Sequence, residues 1–379
     1  MRLLIVTPAL GTTLGGGERY ALDVVLELAQ AGHELTVVTS TARQEADFWQ
    51  GSEPAPTAEA QAWPFRSYHL PIPPFPGGQA ALFRRRKLLA LTDWLPAGLN
   101  PFAPYNALFP HLPDLPALLA DLKPDFDLVH GFNLSWESPL LAAAAYARRH
   151  QLPLVITPFA HPGSRSARWN LQRREQRELL ASAARLLALS SSEKAGLTSW
   201  GIAPECIDLI GMGYTPYPAA AAAPDPALPA HYALFVGRAS RDKGSFEAIN
   251  AISTLAPSTE LHLVLAGHVD ADVAAHIAGL SPAQRARIHT LGRVSEARKH
   301  QLLAGAFVFL LPSRSDAFGI VILEAWQHGV PVIGARSGGI PGVIDDRTNG
   351  LLVPYGDSQA LAQALTQLLN TPDFARQLG

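Results

Sequence analysis

The chain has 379 residues, 48% of them hydrophobic and 16% charged, and its 30 Lys and Arg against 32 Asp and Glu leave a net charge of -2. That length exceeds what one hydrophobic core usually serves and predicts two domains, while the near-neutral balance excludes an overall field that would recruit nucleic acid or an anionic surface. One cysteine, Cys206, cannot make an internal disulfide, which fits a reducing cytoplasm.

The first apolar run, "LLIVT" (3 to 7), reads as a buried strand rather than a signal peptide, because it is short and meets Pro8 and then "GTTLGGGE". Further runs with β-branched residues at 35–39, 127–130, 153–157, 186–190 and 207–211 alternate with helical patterns. Their hydrophobicity is continuous, as in parallel strands covered on both faces by helices. A second series at 233–237, 261–266, 307–312 and 331–335 predicts a second βα domain. Between the two series, the Ala- and Pro-rich 214–232 has the composition of a semi-rigid linker. The expected fold is α/β, two doubly wound Rossmann-like domains facing each other across a cleft: 1–213, a linker at 214–230, and 231–379. No window approaches the roughly 20 apolar residues that span a bilayer.

Residues 43–125 break the rhythm with many prolines and aromatics, and loops this long are usually functional or disordered. Within them Arg84, Arg85, Arg86 and Lys87 stand beside Leu88, Leu89, Leu91 and Trp94. The cluster fits a solvated helix end on a lid; the alternative is a peripheral contact of 83–94 with a membrane surface or an anionic acceptor.

In doubly wound sheets ligands sit beyond the carboxyl ends of the strands, so the loops after each run are the candidate sites. After the first run, Gly15, Gly16 and Gly17 lead into an amphipathic helix and let amides approach an anion closely. The spacing is not G-x-G-x-x-G, which disfavours a dinucleotide; the plain alternative is a tight turn. "FVGRASRDKGS" places Gly237, Arg238 and Lys243 after a strand, where two cations suit a diphosphate. "SGGIPG" (337 to 342), also after a strand and opening a helix, offers amides to the same phosphates. His161 closes "TPFAH" after another buried run and is read as a substrate contact against the alternative of a structural histidine.

Two carboxylates, Asp316 and Glu324, stand in "SDAFGIVILEAW". Eight helical residues would separate them by about 12 Å of rise. A glycosidase pair flanking one bond lies roughly 5 to 9.5 Å apart, so these two should hold different parts of one elongated ligand. Asp316 is placed in the loop after a strand and Glu324 about two turns into the helix. The D-x-D matches at 125–127 and 270–272 read as a strand approach and a helix start, and the 13 His residues show no ligand spacing for zinc.

These pieces in order, "GGGE", "VGR...DKG", "LAG", "LGRV", "PSRSDAFGIVILEAWQHGVPVI", "SGGIPG" and "NGLLV", resemble the retaining, nucleotide-sugar-dependent glycosyltransferases of the group-one family with the GT-B fold. The resemblance implies that Arg238 and Lys243 neutralise the donor diphosphate, in place of a metal and with no other cofactor. It implies that Glu324 binds the donor ribose and that Asp316, with the amides of Ala317, Phe318 and Gly319, grips the transferred sugar. Gly16, Gly17, Gly237, Gly338 and Gly339 match donor-side glycines, His161 a sugar contact, and Arg293 and Val294 the segment beside the base. The implied activity moves a hexose from a UDP-, GDP- or ADP-sugar to a saccharide or lipid-linked hydroxyl, in the cytoplasm or at the inner face of the membrane, with 43–125 reading the acceptor. The alternative is a homologue that binds nucleotide sugar or a partner without transfer.

The sequence departs from that pattern in three places. Asp316 stands where the family has Glu, and Gly342 stands where a Glu is common. The usual Asp after the hinge is missing from "GMGYTPY". Relatives also continue past "DFARQLG" into a helix that crosses back to the first domain.

Overall fold

The apolar runs become two sets of parallel strands in a computed structural model that describes residues 1–11, 15–53, 63–95, 99–161, 173–218, 225, 228–256 and 259–379. The chain divides into Met1–Met212 and Gly213–Gly379. In the first unit lie β1 (Arg2–Val6), β2 (Glu34–Ser40), β3 (Arg66–Leu70), β4 (Leu128–Phe132), β5 (Leu154–Thr157), β6 (Arg185–Ala188) and β7 (Ile207–Leu209). They form one sheet in the order β3-β2-β1-β4-β5-β6-β7. Its helices are α1 (Gly16–Gln30), α2 (Gly78–Leu91), α3 (Leu115–Asp121), α4 (Ser138–His150), α5 (Arg174–Ala181) and α6 (Ser191–Ser199), with shorter turns between. In α1 the spacing of Tyr20, Ala21, Leu22 and Val25 buries one face, and Gly32, at φ 82°, follows its end.

The second unit holds β8 (Tyr232–Val236), β9 (His262–Ala266), β10 (Ile288–Gly292), β11 (Val308–Leu311), β12 (Val332–Ala335) and β13 (Leu351–Val353), in the order β10-β9-β8-β11-β12-β13. Its main helices are α7 (Ser245–Thr254), α8 (Ala271–Ala278), α9 (Glu296–Gly305), α10 (Val321–Gln327), α11 (Ser358–Asn370) and α12 (Pro372–Leu378). Each sheet therefore is doubly wound as expected, and each reverses its winding once, between β1 and β4 and between β8 and β11.

Three strands were not expected: β3, β10 and β13. All three are sheet edges. A strand covered on fewer sides does not need a continuous apolar run, and "RSYHL" and "IHTLG" carry none.

Residues 43–125 are not a free loop where they are described. Phe48, Ile72, Phe75, Leu82, Leu89, Phe109, Leu112, Leu115 and Leu119 share one core with Val129 of β4. The basic cluster is likewise not one solvated face. Arg86 is buried, donating to Glu137 Oε2 at 2.7 Å and to the Ser135 carbonyl at 2.6 Å. Arg173 pairs with the other oxygen of Glu137. Helical spacing explains the difference: Leu82, Arg86 and Leu89 fall on the inner face of α2, while Arg84, Lys87, Leu88 and Leu91 fall outside.

In the expected linker, Tyr217 exchanges hydrogen bonds with Gln327, its amide donating to Oε1 at 3.2 Å, and its ring stacks on His300 at 4.1 Å. Asp225 pairs with Arg298 of α9. Residues 219–224 and 226–227 lie outside the described residues.

Candidate functional site

In the second unit the loops after β8 and β11 meet at the reversal of strand order, where a doubly wound sheet binds ligands. They are zipped together by two ion pairs. Arg314 Nε donates to Asp242 Oδ1 at 2.8 Å, and Lys243 Nζ donates to Asp316 Oδ1, also at 2.8 Å. Lys243 and Asp316 keep 30% and 20% side-chain exposure, so the pair lies at the surface of the crevice rather than in the core. Gly244, at φ 76°, follows the lysine; a Cβ there would run into the Pro312 backbone. Two hydroxyls on these loops, of Ser240 and Ser313, are buried without a hydrogen-bond partner among the described residues. Such groups leave bonding capacity for a ligand or water.

The glycine-rich 337–342 packs directly on the loop of Asp316 and Ala317. The Gly339 amide donates to the Asp316 carbonyl at 2.7 Å, and a Cβ at Gly338 would come within 2.6 Å of the same oxygen. That amide is therefore committed to backbone and does not offer itself to phosphate. The helix expected to open there is only a 3-10 turn, Ile340–Gly342. Phe318 is buried, and Gly319 takes φ 85°, which delays the next helix.

Because α10 starts at Val321, Glu324 lies in its first turn rather than two turns in. Its Oε1 accepts from Lys299 Nζ at 2.7 Å, and Lys299 also donates to Glu296 Oε2 at 2.8 Å. Lys299 and Glu324 are each 12% exposed at the side chain. Glu296, His300 and Glu324 bring ligand atoms within 4.8 Å of one another, but the Lys299 ammonium already pairs with both carboxylates of that group. Lys299 was not foreseen: one Lys in "SEARKHQLL" carries no signal until α9 is packed on α10.

The ends of β8, β9 and β10 are held by glycines. Gly237, Gly267 and Gly292 take φ 129°, 149° and 66°, and a Cβ at Gly267 would meet the Gly237 carbonyl. Arg238 follows Gly237, and Arg293 and Val294 follow Gly292, so Arg238 and Arg293, both exposed, share one rim of the sheet with Lys243.

In the first unit Gly16 and Gly17 open α1, with Gly15 as its cap. The carboxylate of Glu18 already sits on that helix end. It accepts from Asn133 Nδ2 at 3.3 Å, and burial raises its pKa against the pull of its own backbone amide and Asn133. An anion arriving at the glycines must displace this carboxylate or find it protonated. Gly17 packs against the exit of β5: a Cβ on it would lie 3.2 Å from the ring of Phe159, two residues before His161 in the chain. Asn133, at φ 71°, ends β4 on the other side of the β1/β4 reversal. The D-x-D matches are occupied otherwise: Asp125 and Asp127 pair with Arg2, and Asp270 precedes α8.

A family model described as glycosyl transferases group 1 matches residues 230–371, and one described as a glycosyl transferase 4-like domain matches 15–213. The chain is 33% identical over 156 residues to alpha-maltose-1-phosphate synthase of Mycolicibacterium smegmatis, covering 38% of this chain and 40% of that protein. It is 43% identical over 79 residues to N-acetyl-alpha-D-glucosaminyl L-malate synthase of Bacillus anthracis, covering 21% of each. The matched segments thus span well under two thirds of these curated relatives.

Among solved structures, Anabaena HepE in complex with UDP superposes with a TM-score of 0.70 at 18% identity, covering 100% of this chain and 92% of that one. Sucrose-phosphate synthase of Thermosynechococcus elongatus superposes with a TM-score of 0.69 at 22% identity, covering 100% and 91%. At such identities the likeness shows the fold, the two Rossmann-like sheets of the GT-B class.

Proposed function

The chain belongs to the group 1 glycosyltransferases, and from that membership we propose that it moves a hexose from a nucleotide-diphosphate sugar to a hydroxyl acceptor with retained configuration. The observation that carries the reading is the Lys243–Asp316 pair at the β8/β11 reversal, with Arg238 on the same loop as the lysine. In this reading Arg238 and Lys243 take the charge that grows on the departing diphosphate, a preorganised stabilisation needing no metal ion. Asp316 and the amides of Ala317, Phe318 and Gly319 hold the sugar, Glu324 the ribose, and His161 the sugar ring. Arg293 and Val294 flank the base. The departing diphosphate takes the acceptor proton on the same face, so no separate base is required.

The acceptor is a saccharide or a lipid-linked sugar, read by residues within 43–125, and the reaction is placed in the cytoplasm. No described helix is long and apolar enough to cross a membrane. The outer face of α2 and the turn after it, with Arg84, Lys87, Leu88, Leu91 and Trp94, supplies a peripheral contact with an anionic lipid surface. Trp94 is 75% exposed and Leu91 59%.

Thermal shift across a panel of UDP-, GDP- and ADP-sugars tests the donor reading, since a ligand bound only by the folded state raises Tm. A shift with none of them sinks it. A second reading, binding without transfer, is favoured by one observation: Asp316 and Gly342 stand where the family pattern has Glu. Donor binding by calorimetry with no nucleotide release over a broad acceptor screen would select it.

A further inference from the structure

Glu193, the third residue of α6, is 0% exposed. The head of its helix is served by another group, Ser190 Oγ, which accepts from the Glu193 amide at 3.1 Å. The carboxylate is divided between two loops. Its Oε1 accepts from the Ala160 amide at 2.5 Å, and its Oε2 accepts from the Leu189 amide at 2.8 Å. Ala160 belongs to the exit of β5 and Leu189 to the exit of β6.

That β5 exit is a backbone under constraint. Phe159 has φ 50°, a left-handed conformation unusual for a bulky side chain. Its ring packs edge-on against Tyr20 of α1 at 6.0 Å and, tilted by 36°, against Phe132 of β4 at 6.1 Å, and Gly17 leaves it room. Immediately beyond Ala160 comes His161.

Burying an acid is costly, and burial lifts the Glu193 pKa to about 7 against the pull of its two amide bonds. The ionisable group facing it from α1 is Tyr20, whose own pKa rises to about 12 through burial and then the Glu193 charge. Packing alone would be better served by an apolar side chain. Only a carboxylate presents two acceptor oxygens to two amides from two loops at once.

We propose that Glu193 is a positioning residue for the sugar contact: by holding the Ala160 and Leu189 amides together it fixes the β5 exit and aims His161. The proposal rests on the reading of His161 as a contact to the transferred sugar. Glu193 itself touches no substrate.

The test compares Glu193→Gln, which keeps the shape but only one acceptor oxygen, with His161→Ala and with the double variant. Nucleotide release is followed with the donor that gives the largest thermal shift in the panel. Glu193→Gln should lower kcat by about 10-fold to 100-fold, the scale of a misplaced contact, with KM little changed. The double variant should be no slower than His161→Ala alone, because both changes remove the same contact. Wild-type kcat in Glu193→Gln, or effects that multiply in the double variant, overturns the proposal. Wild-type kcat in His161→Ala instead sinks the sugar-contact reading, and the proposal with it. If Glu193→Gln does not fold, Glu193→Asp, which keeps both oxygens but withdraws them by one methylene, is judged by the same outcomes.

Discussion

Lys243 Nζ lies 2.8 Å from Asp316 Oδ1, so the cation read as a diphosphate ligand and the carboxylate read as a sugar ligand neutralise each other across two loops. A donor arriving at this point must share the ammonium with Asp316. Asp316→Asn frees Lys243 and should tighten the binding of UDP without sugar by up to about fivefold, the worth of a part-exposed pair. The same change should slow transfer, since the sugar loses a charged partner. Calorimetry with UDP checks the first half; weaker UDP binding in the variant would contradict it.

Lys299 bridges Glu296 and Glu324 on two packed helices. Lys299→Met leaves Glu324 with a lost charge partner in a site only 12% exposed, at a cost of about 2 kcal/mol in folding stability. Donor KM should rise with kcat nearly kept, because only the ribose end is disturbed, and Lys299→Arg should restore much of it. Denaturant unfolding and steady-state kinetics read both. Unchanged stability and KM would remove Lys299 from the account.

Two buried groups in the first unit give stability opposite pH slopes. Glu193 has its folded pKa raised to about 7 from an ordinary 4.5, so its contribution is full below 4.5 and is lost as pH rises through about 7. His130 accepts or donates at Thr157 Oγ1, 2.9 Å away, and burial lowers its pKa to about 3 from an ordinary 6.5. Its contribution is full above 6.5 and is lost as pH falls toward about 3. Between about 4.5 and 6.5 the slopes offset each other. Unfolding free energies of Glu193→Gln should therefore lose less stability than wild type as pH rises from 5 to 8, by roughly 3 kcal/mol over the full shift. Parallel curves would contradict the raised pKa.

The outer face of α2 predicts that the protein sediments with vesicles of anionic lipid at low salt, less at high salt, and less again with Trp94→Ala and Leu91→Ala. Equal sedimentation by wild type and variants would leave this face without a lipid role.

Continuous apolar runs revealed both sheets because a central parallel strand is covered on both faces. The edges β3 and β10 were illegible for the same reason, since they do not need that cover, and β13 was missed because its apolar run, Leu351–Val353, is only three residues long. The order of the apolar runs was enough to put Gly17 at the head of α1 and Lys243 and Asp316 in the loops after β8 and β11, whereas Glu324, expected two turns into its helix, lies in the first turn. Lys299, Glu193 and Glu137 were not readable along the chain, because each matters through a partner far away in sequence: Glu324, Ala160 and the two arginines Arg86 and Arg173. Arg86 was read with its neighbours as basic surface, since a run of like charges does not say which residue the helix turns inward.

The most direct measurement of the central claim is nucleotide release from the preferred donor in the presence of EDTA, by wild type and by Lys243→Ala. The account predicts that wild type releases nucleotide undiminished by EDTA and that the variant loses about 100-fold to 1000-fold in kcat, the scale of removing one preorganised group at a developing charge. Release that requires a divalent metal ion, or a Lys243→Ala variant as fast as wild type, would contradict it.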